Sequence, residues 1–279
     1  MTLLSLRRRR DVGRRGELRG VPWALAGPAT VGAAFLLLPL LALLVRAPWR
    51  GLGRLLENSQ VVEALRLSLV TASLATVVSL LLGVPLAYVL ARSTRAGTSL
   101  LRALVTLPLV LPPVVGGVAL LLALGRRGLV GRPLEELTGF SLPFTSVGVV
   151  VAETFVAMPF LVITVEGAFC AADRRLEEAA ATLGASRLTV FGRITLPLIA
   201  PSLGAGAVLC WARALGEFGA TITFAGSFPG RTQTMPLAVY LALESDPEAA
   251  IALSLVLLLV SVLVLAALRD RWLRPGTAL

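Results

Sequence analysis

The sequence predicts an all-α integral membrane protein with six transmembrane helices. Three observations lead there. The 279 residues are 56% apolar, with a mean hydropathy of +0.86, and a soluble domain of this length needs far more polar surface to cover its core. Six apolar runs each supply the ~20 helical residues that cross about 30 Å of hydrocarbon. All 26 basic residues are Arg, and most of them fall between those runs.

The elements follow in chain order. Residues 1–22 are polar and basic, with Arg7, Arg8, Arg9 and Arg10 in a row and then Arg14, Arg15 and Arg19. The apolar run from Trp23 to Val45 is too long for a secretory h-region, and no small-x-small cleavage site follows it. The expectation is an Arg-rich tail over 1–22 and a first transmembrane helix over 23–46. A core over 61–268 holds five further spans, at 61–91, 100–124, 146–168, 197–224 and 249–268, and 269–279 forms a second tail. Trp23, Trp49 and Trp272 flank span ends, where indole rings suit the membrane interface. Six spans put both termini on one side. The loops and tails of that side carry 17 Arg against 7 on the other, which makes the termini cytoplasmic and the chain a multi-pass protein of the cytoplasmic membrane.

Several kinds of chemistry are excluded. The chain has no His, so His-based metal sites, Ser/His and Cys/His pairs and His proton relays are absent. Cys170 and Cys210 read as free thiols. A net charge of +10 would suit a nucleic-acid binder, but such a protein would carry its Arg on a soluble domain, so no nucleic-acid partner is expected. No GxxxxGKS or GxxxxGKT loop occurs to cradle phosphate. The chain is therefore expected to hold no catalytic residue, no metal and no cofactor of its own. An intramembrane enzyme would need a constellation that is not there. An ion-driven secondary carrier is a rival from another class, although the internal repeat common in such carriers is not evident.

The loop at 173–197 is the most informative stretch. Asp173 can cap a helix start, because its carboxylate accepts bonds from free backbone N–H groups. Leu176, Ala179, Ala180 and Leu183 then make one apolar face at helical spacing. Gly184 suits a helix stop, being free of strain in the left-handed region. Ser186 can cap a second short helix through Phe191, and Pro197 can open the fifth span, where its missing N–H does no harm. By physics alone this element either lies on lipid or docks a partner.

The same stretch resembles the EAA motif of ABC importer permeases, EAA-x3-G-x9-I-x-LP. Glu178, Ala179, Ala180, Gly184, Ile194, Leu196 and Pro197 fill every defined position, with Glu177 just ahead. The resemblance implies a type I ABC importer permease fold whose coupling helix seats in a cleft of a separate ATPase. That ATPase would hold the ATP and Mg. It also implies an extracytoplasmic binding protein and a second membrane unit, usually an identical chain in the molybdate branch. Residues 212–241, ARALGEFGATITFAGSFPGRTQTMPLAVYL, and LPLVLPPVVGG at 107–117 resemble that molybdate branch. Sulfate and thiosulfate permeases share the ARALGEFG portion and form the close alternative. Tungstate, nearly the size of molybdate, is an equal candidate cargo.

Two groups of intramembrane residues stand out. Pro108, Pro112, Pro113, Gly116 and Gly117 crowd the third span, and broken helices survive in a bilayer only where protein or a water-filled cavity covers the freed backbone. They form either a packing kink or part of the pathway. In the fifth span Arg213 and Glu217 are four residues apart on one helical face, as a structural ion pair or as polar groups beside the anion path. Glu153 and Glu166 in the fourth span pose the same question.

Overall fold

A computed structural model describes residues 23–51, 53, 57–93 and 97–272. The Arg-rich segment 1–22, Arg54, Arg95 and the end of the second tail, 273–279, lie outside the described residues. Two compact units divide the chain, Met1–Arg46 and Ala47–Leu279. The first contributes one described helix, α1 (Trp23–Val45). It has no charged residue and is apolar on every face, as a membrane span is. Its Thr30 hydroxyl is satisfied within the helix, donating to the Ala26 carbonyl at 2.8 Å.

The second unit is helical and has no strand among its described residues. Three of its spans match the sequence expectation closely: α2 (Ser59–Arg92), α6 (Ser146–Ala171) and α12 (Pro247–Trp272). Side-chain caps fix two of their starts. Asn58 accepts from the Gln60 N–H, and Thr145 from the Gly148 N–H.

The expected span 100–124 is not one helix. It forms α3 (Thr98–Val110) and α4 (Pro113–Leu124), which meet at 119°. The proline pair is the cause. Pro113 disfavours helical backbone at Pro112, which sits at φ −54° and ψ 132°, and neither residue has an N–H to continue the ladder. Among the described residues five helices are thus long and apolar enough to cross a membrane singly, and the number rises to six when this bent pair is counted as one broken span. A short element, α5 (Gly131–Thr138), follows it.

The expected fifth span 197–224 is also interrupted. Between α6 and that span lie α7 (Arg174–Thr182) and α8 (Arg187–Val190). α8 does not stop at Phe191. It runs through a π-helical turn, Phe191–Thr195, into α9 (Leu196–Leu215) without a break. Pro197 has no N–H to offer the Arg193 carbonyl and would crowd it, and the wider π turn absorbs that defect. At its other end α9 stops at Leu215, and the chain restarts as α10 (Gly219–Phe224). Glu217 therefore lies beyond the helix that carries Arg213. α11 (Met235–Ser245) leads into α12.

The core sits between α2, α6 and α9. Ala72, Ala75 and Ala87 of α2 pack with Leu161, Val165 and Phe169 of α6 and with Cys210 and Ala214 of α9. Small residues let these helices approach. A Cβ on Gly83 would lie 3.2 to 3.3 Å from the side chains of Val162, Leu161 and Met158. A smaller cluster joins α4, α6 and α10 through Leu120, Ala152, Val156, Ala220 and Phe224.

Candidate functional site

The loop between α6 and α9 is built by local capping. Asp173 accepts from the Arg175 N–H at 3.0 Å and starts α7. Gly184, at φ +86°, ends it. Its N–H bonds the Ala181 carbonyl at 3.0 Å while the Ala185 N–H reaches back to Ala180 at 3.1 Å, a Schellman closure that only a left-handed residue permits. Ser186 then caps α8, accepting from the Thr189 N–H at 3.2 Å. The apolar face read from the sequence is not buried by this chain. Leu176 is 48% exposed, Leu183 88%, and Leu188 on α8 84%. Ala179 and Pro197 are exposed, Ala180 and Ile194 are half-buried, and Leu196 packs against the main core.

The two glutamates of the loop part company. Glu178 is exposed, whereas Glu177 turns inward and is only 18% exposed. Its Oε1 accepts from the Arg92 guanidinium at 2.5 Å and from the Thr195 hydroxyl at 2.9 Å. Close by, Arg102 of α3 donates through Nε to Glu166 of α6 at 2.7 Å and through Nη2 to the Leu90 carbonyl at 3.2 Å. That carbonyl belongs to the last turn of α2, where no helical donor remains to take it.

The two interrupted helices meet each other. A Cβ on Gly219 would lie 2.8 Å from the Pro113 Cβ, and one on Gly117 would lie 2.6 Å from the Thr223 Cβ and 2.9 Å from the Ala220 carbonyl oxygen. α4 and α10 thus touch backbone to backbone. Gly116 faces Phe155 of α6, whose ring edge would be 3.0 Å from an added Cβ. Pro112 and Pro113 are exposed at the bend. Glu217 is 1% exposed and fills the gap between α9 and α10. Its Oε1 accepts from the Ala220 N–H at 2.8 Å, capping α10, and its Oε2 lies 2.5 Å from the Arg213 guanidinium. Glu153 of α6 is equally buried. It accepts from the Thr71 hydroxyl at 2.9 Å, while its other oxygen finds no partner among the described residues.

Comparison with known proteins places this arrangement. Residues 79–275 match the family model described as binding-protein-dependent transport system inner membrane component. The chain belongs to that family. Within it, the chain is 52% identical to the molybdenum transport system permease protein ModB of Mycobacterium tuberculosis, over 85% of this chain and 89% of that one. It is 35% identical to the sulfate transport system permease protein CysT of Salmonella typhimurium, over 95% of this chain and 97% of that one. The fold matches a solved bacterial ABC transporter involved in the import of the acidic polysaccharide alginate. There the TM-score is 0.74 at 18% identity, covering 91% of this chain and 96% of that one.

For a permease of this family the sequence reading missed several partners. Arg92 and Arg102 count there only toward topology, yet each closes an ion pair with a residue at least 64 positions away. Thr71 and Thr195 carry no signal in the sequence. A hydroxyl on an apolar helix gives no sign of which distant carboxylate it will meet. Cys170 is exposed and Cys210 buried, both as free thiols.

Proposed function

We propose that the chain is the membrane-spanning subunit of an ATP-driven importer of molybdate, or of its near-isostere tungstate. The observation that carries the cargo is the 52% identity to a molybdenum permease, against 35% to a sulfate permease over a longer alignment. In this reading the chain sits in the cytoplasmic membrane with both termini and the 173–197 loop on the cytoplasmic side. A separate ATPase holds the ATP and Mg, an extracytoplasmic oxyanion-binding protein delivers cargo, and a second copy of the chain completes the channel.

Glu177, Glu178, Ala179, Ala180, Gly184, Ile194, Leu196 and Pro197 form the coupling loop. Its open leucine face supports docking, because exposed apolar side chains on a capped, well-formed helix gain by being covered. Pro112, Pro113, Gly116, Arg213 and Glu217 line or gate the path. The Arg213–Glu217 pair leaves little net negative charge to repel a dianion. ATP closure of the ATPase dimer moves the loop, and the spans rock to expose the path to alternate sides.

Affinity purification from membranes should retain a P-loop ATPase. Vesicles carrying the purified assembly and internal ATP should take up molybdate in the presence of the binding protein, and a large excess of sulfate should leave that uptake intact. Uptake driven by an ion gradient without an ATPase would overturn the importer reading, and equal competition by sulfate would overturn the cargo.

A further inference from the structure

The cytoplasmic end of α2 gathers contacts from α3, α6, α7 and the π turn. Arg92, the last residue of this 34-residue helix, meets Glu177 of α7, and the same carboxylate oxygen takes the hydroxyl of Thr195 just before α9. The Arg92 nitrogens Nε and Nη1 are buried with no other partner among the described residues. Glu177 is thus the acceptor that answers this charge. Beneath the pair lies an aromatic trio. The Arg92 guanidinium stands 5.9 Å from the Tyr88 ring centre. Tyr88 meets Phe169 of α6 edge-on at 5.3 Å and Phe191 of the π turn at 5.2 Å. Two positions before Arg92, the Leu90 carbonyl receives Arg102, which also binds Glu166 of α6.

We infer that Glu177 is a positioning residue that joins the coupling helix to α2 and α9 at once, so that a displacement of the loop reaches both helices as one body. Chain connectivity alone would not do this. Along the chain, α7 is joined to α9 only through the left-handed corner at Gly184, α8 and the π turn. The Glu177 carboxylate bypasses that corner. It bonds to the far side of the π turn and to a helix that contributes more than half of the main core's fully buried alanines. The division of labour between the two adjacent glutamates follows from their exposure. Glu178 faces outward, where a partner can reach it, and Glu177 faces its own bundle. The inference rests on the importer reading given above, because it assigns a route for force that an ATPase must supply.

The test uses the assembled transporter in vesicles and reads molybdate taken up per ATP hydrolysed. This ratio is insensitive to the amount of folded protein, so a merely structural defect leaves it alone. Glu177→Gln should lower it by about fivefold or more, the scale of a coupling free energy between sites. The reversed pair, Arg92→Glu with Glu177→Arg, should recover part of the loss. An unchanged ratio in Glu177→Gln, with uptake and hydrolysis falling together or not at all, would overturn the inference. If Glu177→Gln does not accumulate in the membrane, Thr195→Val serves instead. It keeps both charges and should lower the ratio by about twofold, and an unchanged ratio there overturns the inference equally. Wild-type vesicles that hydrolyse no ATP would instead sink the importer reading itself.

Discussion

The two ends of α9 are held in opposite ways. At its start, the π turn and Thr195 are fastened by directional polar contacts among long side chains at the edge of the bundle. At its end, glycine backbones touch those of α4, and the carboxylate that bridges the gap is sealed from solvent. Contacts of the first kind can swing together while keeping their partners. Contacts of the second kind tolerate no added atom and no lost charge. The difference teaches that the loop end is suited to transmit displacement, and the broken-helix end is suited to hold a shape.

Substitutions can break this contrast, and the largest effect is expected at the sealed end. Glu217→Ala leaves Arg213 without its counter-charge and α10 without its cap, and it should destabilise the protein by about 3–5 kcal/mol. Thermal unfolding in detergent measures this, with Arg132→Ala in the exposed Arg132–Glu136 pair as the reference. Equal midpoints for the two variants would show that the carboxylate does not hold the break. Next comes Gly117→Val, where the added atoms meet Thr223 and the Ala220 carbonyl and should cost about 1–3 kcal/mol. A midpoint at the wild-type value would mean that α4 and α10 separate readily.

Gly184→Val sharpens the comparison at the loop end. Nothing lies within 4 Å of the added Cβ, so its cost is backbone strain alone, about 1 kcal/mol, which local opening of the exposed α7 corner relieves. Uptake per ATP should fall while the global unfolding midpoint moves little. Gly184→Asn should restore much of the loss, since Asn tolerates the left-handed region. A variant that lowers the midpoint as far as Gly117→Val does would show that the corner belongs to the rigid core.

Much of this was legible in the sequence, and the exceptions have a common cause. Long apolar runs gave α1, α2, α6 and α12, because bilayer thickness imposes length and composition on a span directly. Asp173, Gly184 and Ser186 were readable because a cap is decided within four residues. The proline pair at Pro112–Pro113 announces a break in the helix, but residue types alone do not give the 119° at which α3 and α4 meet. The stop at Leu215 does not show in the run 197–224, which reads as one span, since the approach of Gly219 to Pro113 of α4 is a tertiary contact. Arg92–Glu177 and Arg102–Glu166 join residues 85 and 64 positions apart, and no local pattern encodes such pairings.

The smallest stability effect belongs to the leucines of the loop, and it separates the two occupants that could cover them. Leu183, which caps the end of α7, and Leu188 of α8 are almost fully exposed, so Leu183→Ser and Leu188→Ser should each change the unfolding free energy by less than about 0.5 kcal/mol. If an ATPase cleft covers this face, the double variant leaves the isolated chain as stable as before and releases the ATPase during purification. If the face rests on lipid instead, ATPase retention is unchanged and only the association of the loop with bilayers weakens. The short left-handed corner at Gly184 favours the first outcome. It holds the two leucines on separate helices at a fixed angle, and a fluid interface has no use for that angle, whereas a protein cleft requires it.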